Sequence, residues 1–185
     1  MTPGDLAILL VLTAAALAGA GAGIVRAISL LVAETLVVAA AALLSAPISG
    51  YLVRQWAERE IGYAQMAAFL ILLIAGTVAV IVIAWLRTRD RDLRVGPAFV
   101  DRLGGGAIAV VAAILLLAAT DLALSMGYGT SAAGARSVSR EAPAVVYRAA
   151  IASQIGGRIH REVVPVLRVV LDPALPASVR SARSR

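Results

Sequence analysis

Four long stretches of this chain are apolar and almost free of charge, and they limit the folds that it can adopt. They cover residues 6–25, 27–46, 61–86 and 103–124. A bilayer has a hydrocarbon core about 30 Å thick, which about 20 helical residues can cross. We therefore predict an all-α membrane protein with four transmembrane helices, followed by short amphipathic C-terminal helices.

The composition supports a membrane protein over a soluble one. Soluble domains are about half apolar, whereas 61% of this chain is hydrophobic and its mean hydropathy is +0.90. The net charge is +6, and all 17 basic residues are arginine. In so apolar a chain, basic loops beside anionic lipid explain this charge better than nucleic acid does. We predict the lipid bilayer as a partner and no nucleic-acid partner.

The first apolar stretch is predicted to be a retained helix. A cleaved signal peptide begins with basic residues, whereas Asp5 is the only charged residue before this stretch. Its glycine-rich end lacks both the third glycine of a dinucleotide-binding loop and a preceding strand. Gly19 and Gly23 instead form a GxxxG pattern, which allows two membrane helices to approach closely, although the pattern also arises by chance. Arg26 then marks an interfacial turn.

The second stretch contains the acidic residue Glu34, and Pro47 and Gly50 are expected to break its helix. A carboxylate inside a span is costly unless it is paired, protonated or exposed to water. Glu34 is therefore either part of a polar pathway or a hydrogen-bonded packing residue. At 1.5 Å per helical residue, Thr77 lies at a similar depth and is the predicted partner. Asp121 should lie near the opposite interface, too far away for a direct pair.

Loop charges predict how the spans are oriented. Five arginines lie in the loop between spans three and four, at positions 87, 89, 91, 94 and 102. Short arginine-rich loops remain in the cytoplasm. With four spans, both termini would then face the periplasm.

The chain changes character after the fourth span. We predict a four-helix transmembrane domain over residues 1–125, a flexible connector over 126–139 and an amphipathic helical tail over 140–171. Gly156, Gly157 and Pro165 should interrupt the tail, which is expected to lie on the membrane or on a partner. Residues 172–185 are predicted to be disordered.

The sequence contains no recognisable catalytic or metal-binding constellation. Cysteine is absent, and His160 is the single histidine, expected at the surface or the membrane interface. Because the chain has no lysine, it cannot form the phosphate-binding loop of an ATP-driven transporter. We predict no catalytic residue, no cofactor and no metal, and therefore no enzyme.

A short polar motif, Asp101-Arg102-Leu103-Gly104, opens the fourth span, and two further glycines follow it. Asp101 is favourably placed near a helix N-terminus. It is expected either to pair locally with Arg102 and hold the helix entry, or to form with Arg102 a docking point for another protein.

The order of these features resembles the colicin V production (CvpA) family. The likeness rests on Asp5, on a glycine-rich first turn with Arg26, on Ser45-Ala46-Pro47 at the end of the second span, and on the motif that begins at Asp101. It covers residues 5–124, with a looser likeness in the tail.

The resemblance implies a non-enzymatic accessory protein of the bacterial inner membrane. Its implied role is toxin production or export, or envelope homeostasis, through an unknown membrane or periplasmic protein partner and with a possible homo-oligomer. The alternative is a small channel or transporter subunit in which Glu34 lines a polar path.

Overall fold

The computed structural model describes residues 2–55, 61–88, 97–128 and 152–171, and every element in these ranges is helical. Four long helices come first: α1 (Pro3–Ala22), α2 (Ile24–Gln55), α3 (Ile61–Thr88) and α4 (Ala98–Tyr128). A short α5 (Gln154–Arg158), a π-helical turn (Ile159–Val163) and α6 (Val164–Leu171) follow. All four long helices are long and apolar enough to cross a membrane. The predicted all-α class with four transmembrane helices is confirmed.

Local chemistry sets the start and the end of α1. The Thr2 side chain accepts a hydrogen bond from the Asp5 backbone N–H, and the Asp5 carboxylate accepts one from the Thr2 backbone N–H. This capping box satisfies N–H groups that the first turn of a helix leaves unpaired. The helix ends before Gly23, whose φ of 80° few other residues adopt without strain. The turn between α1 and α2 is therefore at Gly23, whereas Arg26 lies within α2.

The prediction that Pro47 and Gly50 end the second helix is wrong. Both residues lie inside α2, which continues to Gln55. Proline in a helix removes one backbone hydrogen bond. Leaving the helix within lipid would expose several backbone N–H and C=O groups with no water to bind them, which costs more. The hydroxyls of Ser45 and Ser49 each donate to a backbone carbonyl of the same helix, at 2.9 and 2.8 Å.

The long helices pack in two main pairs, α2 with α3 and α1 with α4, and α2 and α3 both contact α4 as well. The core between them combines a few large side chains with many alanines: Val38, Ala41, Ala42, Phe69, Leu73, Ala118, Ala119, Leu122, Ala123 and Met126. Alanine allows close helix approach, which drives packing in lipid, where apolar burial itself gives little. Large apolar side chains such as Leu10, Leu17 and Ile74 point outward, as expected for a surface that contacts lipid.

The tail packs on the bundle of its own chain. Val164 and Leu171 join the hydrophobic core, and the tail elements contact α1 and α4. The opposite face of α6 exposes Val166, Val169 and Val170. The prediction had placed the whole tail on the membrane or on a partner, because the sequence shows an apolar face but not what covers it.

Some predicted boundaries differ from those in the structure, and others cannot be compared. Pro165 does not interrupt the tail, since it lies inside α6, which continues directly from the π-helical turn. Gly156 and Gly157 lie inside α5 rather than breaking it. Met126 to Tyr128, assigned to the connector, are the last residues of α4. The rest of the connector, most of the loop between α3 and α4, and residues 172–185 lie outside the described residues.

Candidate functional site

The motif residue Asp101 lies in the first turn of α4 but acts on another helix. Its carboxylate is buried, and Oδ1 accepts a hydrogen bond from the backbone N–H of Ile24 at 3.0 Å. Ile24 is the first residue of α2, where backbone N–H groups lack partners within the helix. A negative charge is also favourable at a helix N-terminus. Asp101 thus joins the α1–α2 turn to α4 across a separation of 77 residues.

Glycines let the backbones of α1 and α4 meet beside Asp101. A Cβ at Gly105 would collide with the carbonyl oxygen of Gly19 and would lie 2.8 Å from the carbonyl carbon of Gly23. A Cβ at Gly19 would collide with Gly105 in turn, and one at Gly23 would reach 2.5 Å from Asp101 Oδ2. We call Gly19, Gly23, Asp101 and Gly105 the turn cluster.

The turn cluster shows what each glycine of the predicted GxxxG pattern does. Gly19 lies in α1 and packs against α4, whereas Gly23 forms the turn that follows α1. The partner glycine, Gly105, belongs to the glycine run that follows the motif. Its role could not be found from spacing, because sequence does not state which helices pair.

The other motif residues flank the turn cluster. A Cβ at Gly104 would meet the Ile24 side chain at 2.5 Å, so that side chain would have to shift to admit a larger residue. Arg102 and Leu103 are exposed. The predicted alternatives for Asp101, a local pair with Arg102 or a docking point, did not include its contact with the backbone of α2.

Glu34 is buried between α2 and α3, where Thr77 Oγ1 donates a hydrogen bond to its Oε2 at 2.9 Å. Counting helical rise from the two ends of the spans therefore predicted the correct partner. A bond to a hydroxyl satisfies one carboxylate oxygen within a helix pair that lipid surrounds. This arrangement suits packing, and it also leaves an acidic group at mid-height in the bundle.

At the other end of the bundle, acidic side chains hold the tail. Asp5 Oδ1 accepts a hydrogen bond from the Ile155 backbone N–H at 3.1 Å, near the start of α5. His160 Nδ1 lies 2.6 Å from Asp121 Oδ2, with the two side chains 35% and 13% exposed, respectively. We call Asp5, Asp121 and His160 the tail cluster. One turn beyond Asp121, Ser125 Oγ accepts a longer bond of 3.4 Å from Arg168.

Part of the tail cluster could be predicted from a local sequence pattern. Thr2 and Asp5 are three residues apart before an apolar run, and this spacing is the pattern of a capping box. The contact between Asp5 and α5 joins residues 150 positions apart, so no local pattern could indicate it. His160 was expected at the surface or interface. It is half-buried against Asp121, a partner 39 residues away.

The chemistry of these groups is that of hydrogen bonds between helices. Within the residues that the structure describes, no three His, Asp or Glu side chains gather where a metal ion could bind. Three of the acidic residues, Asp5, Asp101 and Asp121, each contact a different element of the same chain. The arrangement can therefore fix helix ends and dock the tail.

Comparison with known protein families gives a match over most of the chain. A family model described as Colicin V production protein matches residues 4–149. The match includes α2, α3, α4 and all of α1 after Pro3, and with them Asp5, Asp101 and Asp121. It ends before α5 and His160. No curated protein and no solved structure matches the chain.

Proposed function

This chain belongs to the colicin V production protein family, and from that premise we propose a non-enzymatic accessory protein of the bacterial inner membrane. It acts through protein partners in toxin production or export, or in maintenance of the envelope. The family match over residues 4–149 carries the proposal. The multi-pass helical fold agrees with it, since four helices are able to cross a membrane.

The use of the polar groups supports a role in assembly. Buried acidic residues are expensive in a membrane protein and are usually retained for a function. Here Asp101 fixes the start of α2, and Asp5 and Asp121 hold the tail. A bundle fixed in this way presents a defined surface, on which a membrane or periplasmic partner, or a second copy of the chain, can dock.

We propose that Arg102 belongs to the part of this surface that a membrane partner contacts, because the orientation proposed below places Arg102 at the cytoplasmic end of α4. Arg102 and Leu103 are exposed next to the turn cluster, so they can contact a partner without any change in the fold. Arginine and large apolar side chains are common among the residues that dominate protein–protein binding.

Cross-linking from native membranes tests this role. We expect wild-type protein to capture a specific partner and Arg102→Glu to lose it at unchanged membrane levels. Arg161→Glu makes the same substitution at an exposed position at the other end of the bundle, so it serves as the matched control. If Arg102→Glu captured the partner as well as Arg161→Glu and the wild type do, this docking surface would be excluded. Normal toxin export and envelope integrity in a strain that lacks the protein would contradict the wider proposal.

The proposed orientation places both termini in the periplasm and the loop between α3 and α4 in the cytoplasm, because that loop is rich in arginine. A reporter fused after Arg185 tests this. Alkaline phosphatase should be active there, because it folds only outside the cytoplasm, and green fluorescent protein should stay dark. The reverse result would invert the topology.

A channel or transporter subunit is the second candidate, and the buried Glu34 is the observation that favours it. Ion or proton flux in proteoliposomes should then vanish on Glu34→Gln and persist on Thr35→Val, an exposed neighbour on the same helix. If the wild-type protein carries no flux, Glu34 serves packing alone.

A further inference from the structure

A cavity of about 410 Å³ lies between the N-terminal half of α1 and the C-terminal half of α4. Ala7, Ile8 and Val11 form one wall and Leu117 and Leu124 the other. Gly156 and Ile159 of the tail close one end. The volume falls in the range of small-molecule sites in proteins.

The lining identifies the chemistry of an occupant. It is almost entirely hydrocarbon, and Thr120 and Asp121 supply its polar side chains, both from the end of α4 nearest the tail. Cavities with apolar walls stay free of water and accept apolar molecules. The occupant is therefore apolar along most of its length, with a polar group at the end beside the tail.

The open side of the cavity continues into the lipid-facing surface. Val11 lines the cavity and is 43% exposed, and the next outward residues of α1, Leu6 and Leu10, are 60% and 71% exposed. Because these helices span the membrane, the medium at this opening is lipid hydrocarbon. From Pro3 to Val11 the wall is about 12 Å long, close to the roughly 15 Å that one leaflet contributes to the hydrocarbon core.

The tail supplies charge at the polar end. Arg158 and Arg161 flank the cavity residue Ile159 in sequence, and both are exposed. Arginine binds phosphate groups through paired N–H donors. A phospholipid whose acyl chain enters between α1 and α4 would therefore bring its phosphate toward these arginines.

We propose that this cavity binds one acyl chain of a membrane phospholipid and that the docked tail covers its polar end. The site lies apart from the turn cluster and does not depend on the proposed accessory role. It makes the tail a lipid-contacting element, although its inner face packs on the bundle of its own chain.

The test uses the full-length protein in vesicles of phosphatidylethanolamine and phosphatidylglycerol that contain a trace of phospholipid with a photoreactive acyl chain. Cross-links at Ile8 and Leu117 should persist when unlabelled lipid or detergent dilutes the probe just before illumination. Cross-links at Leu10 and Leu17, which face bulk lipid, should fall in proportion to the dilution. Equal loss at both sets of positions would overturn the proposal.

Filling the cavity gives the matched comparison. Ala7→Trp should lower protected cross-linking at least about tenfold, equivalent to about 1.4 kcal/mol of binding free energy. Ala14→Trp adds the same ring two turns further along the same face of α1, outside the cavity lining, and should leave cross-linking unchanged. Ala7→Leu replaces Ala7→Trp if the latter fails to fold. Unchanged labelling in a folded Ala7 variant would contradict the site.

The headgroup contribution is measured separately. Replacing Arg158 and Arg161 by serine should remove any preference for phosphatidylglycerol over phosphatidylethanolamine while acyl cross-linking remains. Native mass spectrometry of the wild-type protein should show one retained phospholipid. Wild-type protein that retains no phospholipid and shows no protected cross-links would contradict the proposal, regardless of the results for the variants.

Discussion

The turn cluster and the tail cluster lie at opposite ends of α4, and each attaches another element of the chain by different contacts. Asp101 and Asp121 are 20 residues apart in that helix, or about 30 Å. At each end an aspartate accepts a hydrogen bond from the first turn of another helix: Ile24 for Asp101, and Ile155 for Asp5. The turn cluster adds direct backbone contact through glycine, whereas the tail cluster adds the side-chain pair between Asp121 and His160.

This difference indicates which end of the bundle can release a segment without unfolding. Backbone contacts between Gly19 and Gly105 leave no space for adjustment, since even one added carbon collides. Side-chain pairs at the tail can break without moving α1 or α4. The family match also includes the whole turn cluster but stops before His160. We infer that the turn cluster holds the bundle together, whereas the tail cluster docks a segment that is able to detach.

The largest expected effect is that of Gly105→Val. The added side chain would strike the backbone at Gly19 and Gly23, so the free energy of unfolding should fall by about 3 kcal/mol, the upper range for overpacking. Thermal unfolding in detergent and membrane levels measure it. Gly21→Val is the control, because a Cβ there would have no atom within 4 Å apart from the backbone of its own helix. Equal behaviour of the two variants would mean that the close contact is not needed.

Removing the aspartate of the turn cluster should have the next largest effect. Asp101→Ala leaves the Ile24 N–H without its acceptor, and losing such a cap costs about 1–2 kcal/mol. Asp101→Asn keeps an oxygen acceptor but loses the charge, so its unfolding temperature should fall between those of wild type and Asp101→Ala. If Asp101→Asn were as unstable as Asp101→Ala, charge rather than the hydrogen bond would dominate.

At the tail cluster, we expect release of the tail without loss of the bundle. His160→Ala removes the contact with Asp121, which should cost about 1 kcal/mol and raise the detached population about fivefold. Trypsin cleavage at Arg158 and Arg161 measures detachment, while the unfolding temperature should change little. Glu162→Ala alters an exposed residue of the same turn and is the control. A drop in unfolding temperature as large as that of Asp101→Ala would abolish the distinction between the two ends.

The sequence predicted the spans because length and hydropathy are local properties of each helix. It failed at Pro47, where the usual breaking effect of proline gives way to the need for internal hydrogen bonds in lipid. The sequence also predicted that the tail lies on lipid or on a partner. An apolar face such as that of Val164 can be recognised in the sequence, but the surface that covers it cannot.

Most contacts between distant positions could not be predicted from the sequence. The Gly19–Gly105 contact and the Asp5–Ile155 bond depend on which helices pair and in what register, and neither appears in local spacing. Glu34 and Thr77 were an exception, since consecutive spans run in opposite directions and the depth of each residue can be counted from the span ends. The resemblance identified Asp101 as part of a motif, but its acceptor role toward Ile24 required the packed helices.

The smallest expected effect is at mid-height, where Thr77 donates to Glu34. Side-chain hydrogen bonds between membrane helices average about 0.6 kcal/mol, so Thr77→Val should lower stability by about that amount. Thr35→Val is the control, since that hydroxyl donates to the carbonyl of Leu31 in its own helix rather than to another helix. Glu34→Gln keeps an acceptor for Thr77 and cannot ionise, so stability should stay the same or rise. If Thr77→Val instead destabilised as strongly as Gly105→Val, the bundle would depend on its centre, and the two ends would matter less than their geometry indicates.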